Sequence, residues 1–295
     1  MERLLAVINE EFRGEVRREE PMLSHTSWRI GGPAKLFLIP QDAADLRVLL
    51  GILERFRVEW MVIGHGTSLL VKDGGFAGAM ISLERFDTIE MKMLGRIDAG
   101  AGVSLAQLVR QAAENGLTGL EELSGIPGSV GGALVKNSSS GTAEIASLVE
   151  SVTLADENGA RTISGAPGET ATGSLPGQAV VTSAVFRLQR GRSGEETDTA
   201  RGGQRLNGGG ALAGAVFKNP RGRLAHELIR EAGLGGEQYG YAEIPAQFCN
   251  CIVNLGQATA EDVLGLIELT RKRVLEKSGV ALDLNVRIVG QEIAR

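Results

Sequence analysis

The stretch "SGIPGSVGGALVKN" at residues 124–137 carries four glycines and one proline in fourteen positions. Each glycine adds backbone entropy that folding must remove, so such a run belongs where bare backbone is needed, not inside a regular helix or strand. Two other glycine-rich turns follow strand-like runs, "GHGTSLL" at 64–70 and "AGAGVSL" at 99–105. Backbone N–H groups in turns of this kind can converge on anionic oxygens, and small side chains let a phosphate come close. None of the three matches G-x-G-x-x-G, since "GHGTSL" has Leu69 at the third glycine position. One such loop alone reads as a local turn. Three of them before residue 133, each with Ser or Thr, point to a phosphate-bearing ligand.

The bulk numbers bound the rest. A chain of 295 residues is long enough for about two domains. Its 43% hydrophobic and 23% charged content is that of an ordinary soluble globular protein. Aromatics supply only 4%, so packing must rest on aliphatic side chains, and the 41 glycines are roughly twice the usual share. A net charge of −5 argues against a general nucleic-acid binder and leaves room only for a local basic patch. The N-terminal run "MERLLAVINEEFRGEVRREE" has no apolar core for a signal peptide, and no window offers a membrane span. The expected compartment is the cytoplasm. Cys249 and Cys251, in "FCNCIVN", read as buried small residues sharing one face of a strand, not as a metal or disulfide motif. His25, His65 and His226 are scattered without metal-ligand spacing, so no metal is expected. Ser129 lacks the G-x-S-x-G elbow of a hydrolase.

Helical spacing predicts helices over 40–56, 104–116, 223–233 and 259–279; Ser104 and Thr259 are the N-caps of the second and fourth. Strands are expected in "EWMVIG", "AMISL", "SVTLAD", "AVVTSAVFRL", "CIVNL" and "VRIVG", with "DENG" (156–159) as a hairpin turn. Strands and helices mix without steady β-α-β alternation, which favours an α+β class. The Gly/Ser/Thr-rich segment 190–215 divides an N-terminal domain of about 190 residues from a C-terminal one of about 80.

In order and spacing, "HTSWRIGGPAKLFLIP" (25–40), "VIGHGTSLLVKDGG" (62–75), "IDAGAGVSLAQL" (97–108) and "GLTGLEELSGIPGSVGGALVKN" (116–137) resemble the FAD-binding half of the UDP-N-acetylenolpyruvoylglucosamine reductases (MurB). "GAVFKNP" (214–220), "LIREAGL" (228–234), "NLGQATAEDVLGLI" (254–267) and "VRIVG" (286–290) resemble that family's C-terminal domain. The resemblance implies a vanillyl-alcohol-oxidase-type (PCMH-type) FAD-binding domain of two α+β subdomains at 1–190, with the subdomain boundary near 63–66. A linker at 191–213 and a MurB-type α/β substrate domain at 214–295 complete the expected order. It implies FAD and NADPH as cofactors and reduction of an enolpyruvyl UDP-sugar to UDP-N-acetylmuramate for peptidoglycan. The cofactor positions carried over are Arg29, Gly64, Gly66, Thr67, Ser68, Leu69, Gly125, Ile126, Pro127, Gly128, Ser129 and Gly132, with Lys72 a second charge partner for phosphate; Asn219 would face the substrate.

The reacting side departs from the family. Reduction of the enol ether needs an acid to protonate carbon and donors for the charge that develops. The family's serine proton donor lies in "GSVFKNP"; this chain reads "GAVFKNP", with Ala215 in its place, and a methyl group relays no proton. The family's arginine, in a "YRxS" segment, aligns with "ETAT" (169–172) at Thr170, and no Arg or Lys occurs from Thr162 to Phe186. The glutamate of "PEVR" becomes Asn285 in "LNVR". A lysine–histidine pair becomes Gln247 and Phe248, and "NAGAYGG" becomes "NSSSGTA" (137–143). One lost donor costs ~10²–10³ in rate and lost acid catalysis ~10²–10⁴, so the combination removes several powers of ten. Three readings stay open: a reductase with substituted groups, a flavin-binding paralogue with a regulatory or scaffold role toward a protein partner in cell-wall synthesis, and a structural protein with vestigial loops.

Overall fold

A computed structural model of the chain describes residues 1–140, 143–165, 179–191 and 214–293. From the N-terminus run α1 (Glu2–Glu11), β1 (Glu15–Pro21), β2 (Pro33–Ile39), α2 (Ala43–Arg55), β3 (Trp60–Ile63), β4 (Leu69–Val71) and β5 (Phe76–Ser82). Next come β6 (Ile89–Lys92), β7 (Arg96–Gly100), α3 (Leu105–Glu114), β8 (Leu117–Thr118), α4 (Val130–Lys136), β9 (Ser139–Ser140) and β10 (Ala143–Glu144). The hairpin strands β11 (Val149–Asp156) and β12 (Gly159–Ser164) precede β13 (Val180–Arg187), β14 (Gln189–Arg190) and α5 (Ala225–Glu231). The short β15 (Gln238–Tyr239), β16 (Ala242–Glu243) and β17 (Val253–Asn254) lead into the long α6 (Ala260–Ser278) and β18 (Arg287–Val289). Helix and strand mix without steady β-α-β alternation, in line with the α+β class.

Two compact units share this chain. Unit 1 comprises Met1–Arg18, Leu36–His65 and the described residues within Gly78–Gly203; unit 2 comprises Glu19–Lys35, Gly66–Ala77 and the described residues within Gln204–Arg295. Each has its own apolar core.

Unit 1 holds a five-stranded sheet in the order β12-β11-β13-β7-β6, antiparallel throughout. The "DENG" turn forms as its sequence requires: the Asp156 carboxylate accepts from the Asn158 and Gly159 amides, and Gly159 sits at φ 144°. Its core joins Ile97, Val152, Leu154 and Phe186 of the sheet to Leu46, Leu49 and Leu53 of α2 and Leu105 and Leu108 of α3. The Asp42 carboxylate accepts from the Asp45 amide to start α2, and Ser104 does the same for the Gln107 amide at α3. In the same unit β3 pairs parallel with β5 from Trp60↔Ala79 to Ile63↔Ser82.

Unit 2 is built around α6, which opens on a reciprocal capping box between Thr259 and Asp262 and closes on Gly279 at φ 71°. The Asp73 carboxylate accepts from the Ala260 and Glu261 amides at 3.0 and 3.3 Å, placing a negative charge at the positive end of this 19-residue helix. Buried Trp28 donates its indole N–H to the Ile252 carbonyl at 2.7 Å, and the Asn254 amide donates to the Trp28 carbonyl at 2.9 Å. β18 pairs parallel with β4, Arg287↔Leu69 to Val289↔Val71.

Three details differ from the sequence expectations. Half of the opening glycine stretch is helical: α4 spans Val130–Lys136, because Ser129 caps it and the Gly131 position packs against Ala101 with no room for a side chain. Cys249 and Cys251 lie in a turn, not on one strand face; Cys249 is buried, while Cys251 is half-buried and its thiol is pushed up to about 11 by burial and the neighbouring Cys249. Of "CIVNL" only Val253–Asn254 is strand. The helix α1 has no sequence signal beyond its spaced Leu4 and Ile8, both buried in the unit 1 core.

Candidate functional site

In unit 1 the three glycine-rich turns come together around residues 128–132. The buried Ser129 hydroxyl accepts from the Gly132 amide at 3.3 Å, and a Cβ added at Gly64 would collide with the same oxygen. The third turn docks alongside: the Val130 and Gly131 amides donate to the Val103 and Ala101 carbonyls at 2.8 and 2.9 Å, and the Leu105 amide donates to the Gly128 carbonyl at 3.0 Å. Residues 64, 101–105 and 128–132 therefore form one wall whose members fix one another.

The chemistry of this wall follows from those bonds. The first amides of α4 are satisfied within the protein by the Ala101 and Val103 carbonyls of the turn after β7 and by the Ser129 cap, so this short helix offers no anion site of its own. What the stretch before it offers is backbone uncrowded by side chains at Gly125. Gly125 is exposed, with no atom within 4 Å of where a side chain would stand, and Gly128 sits at φ 140°. Ile126, Pro127 and Gly128 run between these points, and the Ile126 amide is held by the Leu123 carbonyl at 3.0 Å. A flat or anionic ligand can approach such backbone closely.

Unit 2 gathers the other cofactor candidates around Gly66, at φ 63°, where a side chain would strike the His25 carbonyl. The Ser27 amide donates to the Gly66 carbonyl, the Gly214 amide to that of Thr67 at 3.0 Å, and the Arg287 amide to that of Ser68 at 2.9 Å. Leu69 then enters β4. Arg29 is exposed in the left-handed region at φ 53°, which for a non-glycine residue is held only by its surroundings. Here the Thr26 hydroxyl donates to the Ile30 carbonyl at 2.7 Å across the same turn. Lys72, by contrast, has its ammonium 2.6 Å from the Glu292 carboxylate.

The reacting-side positions of unit 2 are also drawn together. The segment Ala215–Lys218 runs between two others: the Val216 amide donates to the Asn250 carbonyl at 2.9 Å, and the Lys218 amide to the Asp283 carbonyl at 2.9 Å. Asn250 clamps Phe217 with both side-chain atoms. Asn285 donates its side-chain amide to the Ala215 carbonyl at 2.9 Å and its backbone amide to the Val216 carbonyl at 2.8 Å. Asn219 accepts from the Ala225 amide at 3.0 Å, supplying the cap that Leu224 cannot give α5. Gln247 is exposed and Phe248 half-buried in the turn before Cys249. Thr170 lies outside the described residues. Sequence reasoning did not single out Asn250, Asn254 or Asp73, whose roles depend on partners more than thirty residues away in the chain.

The α+β unit that carries this glycine-rich wall belongs to a flavin-binding class of protein, as comparison with known proteins shows. Residues 34–164 match the family profile of the FAD binding domain, and residues 207–289 that of the UDP-N-acetylenolpyruvoylglucosamine reductase C-terminal domain. A UDP-N-acetylenolpyruvoylglucosamine reductase of Pelobacter propionicus is 42% identical over 288 residues, covering 95% of this chain and 98% of that one. The crystal structure of the MurB of Thermus caldophilus is similar with a TM-score of 0.74 and 33% identity, covering 94% and 98% of the two chains. An alkyldihydroxyacetonephosphate synthase structure, 14% identical with a TM-score of 0.50 over 64% of this chain and 41% of its own, shares the fold alone. The chain belongs to the UDP-N-acetylenolpyruvoylglucosamine reductase family. No helix among the described residues is long and apolar enough to cross a membrane.

Proposed function

We propose that this protein is an FAD-binding member of its family, linked to peptidoglycan precursor synthesis, in which the family's reduction of an enolpyruvyl UDP-sugar has fallen to a negligible rate. When bound, FAD supplies hydride transfer, with NADPH as the source of reducing equivalents. The residues of unit 1 that would hold it are Gly64, Gly125, Ile126, Pro127, Gly128, Ser129 and Gly132; Arg29, Gly66, Thr67, Ser68 and Leu69 are carried over as cofactor positions by the resemblance alone. The mutual packing of Gly64 and Ser129 and the bare backbone at Gly125 support that half of the reading. The functional division that goes with it is an FAD-binding region at 1–190, a linker at 191–213 and a substrate-type region at 214–295.

The observation that carries the second half is the Asn285–Ala215 hydrogen bond. Where the resemblance expects a carboxylate and a hydroxyl, an amide N–H donates to a main-chain carbonyl beside a methyl group. Neither side chain can deliver a proton to a substrate carbon, and the amide adds no charge to balance one. The groups fit a role in holding the Ala215–Lys218 segment in place. Asn219, expected toward substrate, has its oxygen accepting from the Ala225 amide at the start of α5. The site suits binding of a UDP-sugar or a cell-wall protein partner with flavin in place, as a regulatory or scaffold element.

Two measurements test the reading in sequence. The absorbance spectrum of the purified protein, with FAD added, is expected to show bound flavin; its absence would sink the flavoprotein reading in any form. NADPH-driven turnover with the enolpyruvyl UDP-sugar is expected to be negligible, and Ala215→Ser alone is expected not to restore it, because the charge stabilisers are also missing. Robust turnover by the unaltered protein would show that other groups have taken over the acid's work.

A further inference from the structure

The five-stranded sheet of unit 1 ends at β6, and among the described residues no strand pairs with the outer side of β6. The Gly100 amide donates to the Thr88 carbonyl at 2.9 Å, so 88 and 100 are a hydrogen-bonded antiparallel pair. Bonded and non-bonded pairs alternate along such a ladder. Glu90/Asp98 and Lys92/Arg96 are therefore bonded as well, and the N–H and C=O groups of Ile89 and Met91 point away from the sheet. The same edge is apolar where it is most exposed. Met91 is 40% exposed, and the turn beyond it presents Met93 at 84% and Leu94 at 78%, the most exposed large apolar side chains among the described residues.

An edge with unpaired backbone groups and exposed apolar side chains is a template for another strand. The sequence Ile89-Glu90-Met91-Lys92-Met93 is complementary to itself when reversed about its centre. We propose that β6 is a self-association edge, at which two copies of this chain pair antiparallel about a two-fold axis through Met91 and join their five-stranded sheets. In that register Met91 exchanges both backbone bonds with Met91 of the second copy, Ile89 faces Met93, and Glu90 faces Lys92 twice per interface. The two charge pairs fall at non-bonded positions, where facing side chains come closest. Charge selects this register among those that satisfy the backbone. A shift of the pairing by two positions one way sets Glu90 against Glu90, and the other way Lys92 against Lys92. An odd shift turns outward groups onto inward ones. The interface is isologous, the form that closes at a dimer. Few residues take part, so association is reversible and concentration-dependent.

The test is sedimentation of the full chain as the parent, as Glu90→Lys, as Lys92→Glu, and as an equimolar mixture of the two variants. The parent is expected to show a monomer–dimer equilibrium. Each reversal turns both facing pairs repulsive and is expected to weaken dimerisation roughly tenfold or more. The mixture is expected to recover parental affinity as a heterodimer, because the two reversed edges complement each other. That recovery also shows that the variants are folded. Amide hydrogen exchange locates the contact: Ile89 and Met91 gain protection with concentration, while Glu90 and Lys92 are protected at all dilutions. A parent that stays monomeric up to its solubility limit overturns the proposal, as does Met91 protection independent of concentration, which would mean that another part of the chain covers the edge. A dimer indifferent to both reversals, or a mixture that stays monomeric, overturns it equally.

Discussion

Gly64 and Gly125 make opposite statements about why a glycine is needed. At Gly64 a side chain would strike the Ser129 hydroxyl, which is buried and caps α4, so Gly64→Ala overpacks the protein itself. A loss of about 1–3 kcal/mol is expected in denaturant unfolding without ligand. At Gly125 nothing stands within 4 Å, so Gly125→Ala is expected to leave stability within about 0.5 kcal/mol. If bound FAD lies against that backbone, the same change weakens flavin affinity roughly tenfold or more, as a misplaced methyl in a close contact should. Normal flavin binding by Gly125→Ala would remove Gly125 from the site. Cys251 gives a pH test. Its thiol pKa is raised to about 11 in the folded protein from an ordinary 9.0, by burial and then by Cys249. The unfolded chain therefore ionises first as pH rises, so this group's contribution is intact below pH 9 and lost on the way to about pH 11. Replacement by alanine should flatten that part of the stability–pH curve, and alkylation of native Cys251 at pH 8 should be much slower than in denaturant.

At the scale of elements, α6 shows how a helix is fixed from outside its own sequence. Thr259 and Gly279 mark its ends in the sequence, and both act as those residue types should. The Asp73 carboxylate at its first amides comes from 187 residues upstream, beyond any local pattern. Asp73→Ala is expected to cost about 1–2 kcal/mol, from a lost cap and a lost charge at the helix dipole. Asp73→Asn should recover part of this, since its oxygen still accepts. Equal stability of the parent and the alanine variant in urea would show the contact to be incidental. The α4 segment makes the complementary point. Its glycines argue against a helix by propensity, yet Ser129 and the carbonyls of 101 and 103 supply its first turn. Tertiary bonding outweighs a propensity cost of roughly 1 kcal/mol for each interior glycine.

For the molecule as a whole, the unit 2 core decides which piece of chain can stand alone. Trp28, Ile30 and Leu70 pack with Leu228, Val263, Leu266 and Leu282, and β4 supplies the partner of β18. A fragment of residues 214–295 would lose an indole, two aliphatic side chains and a paired strand. It is expected to be unfolded or aggregated, with poor dispersion of its amide NMR signals, even though its own helices are strongly encoded. A well-dispersed spectrum from that fragment would show that the N-terminal segments are dispensable to this core.

The sequence by itself determined the parts whose cause is local or cumulative. The caps of α3 and α6, the "DENG" hairpin, the strand at Val180–Arg187 and the three glycine turns are all legible from residue types at short spacing. The order of motifs along nearly the whole chain was enough to indicate the family. Only the tertiary structure decided that residues 128–132 pack with Gly64 and bond to 101–105 as one wall, that Asn285 holds the Ala215 carbonyl, and that Asn219 caps α5. The physical reason is the same in each case. A glycine, an asparagine or a serine has several uses at nearly equal local cost, and the choice among them is made by a partner that folding brings from elsewhere in the chain.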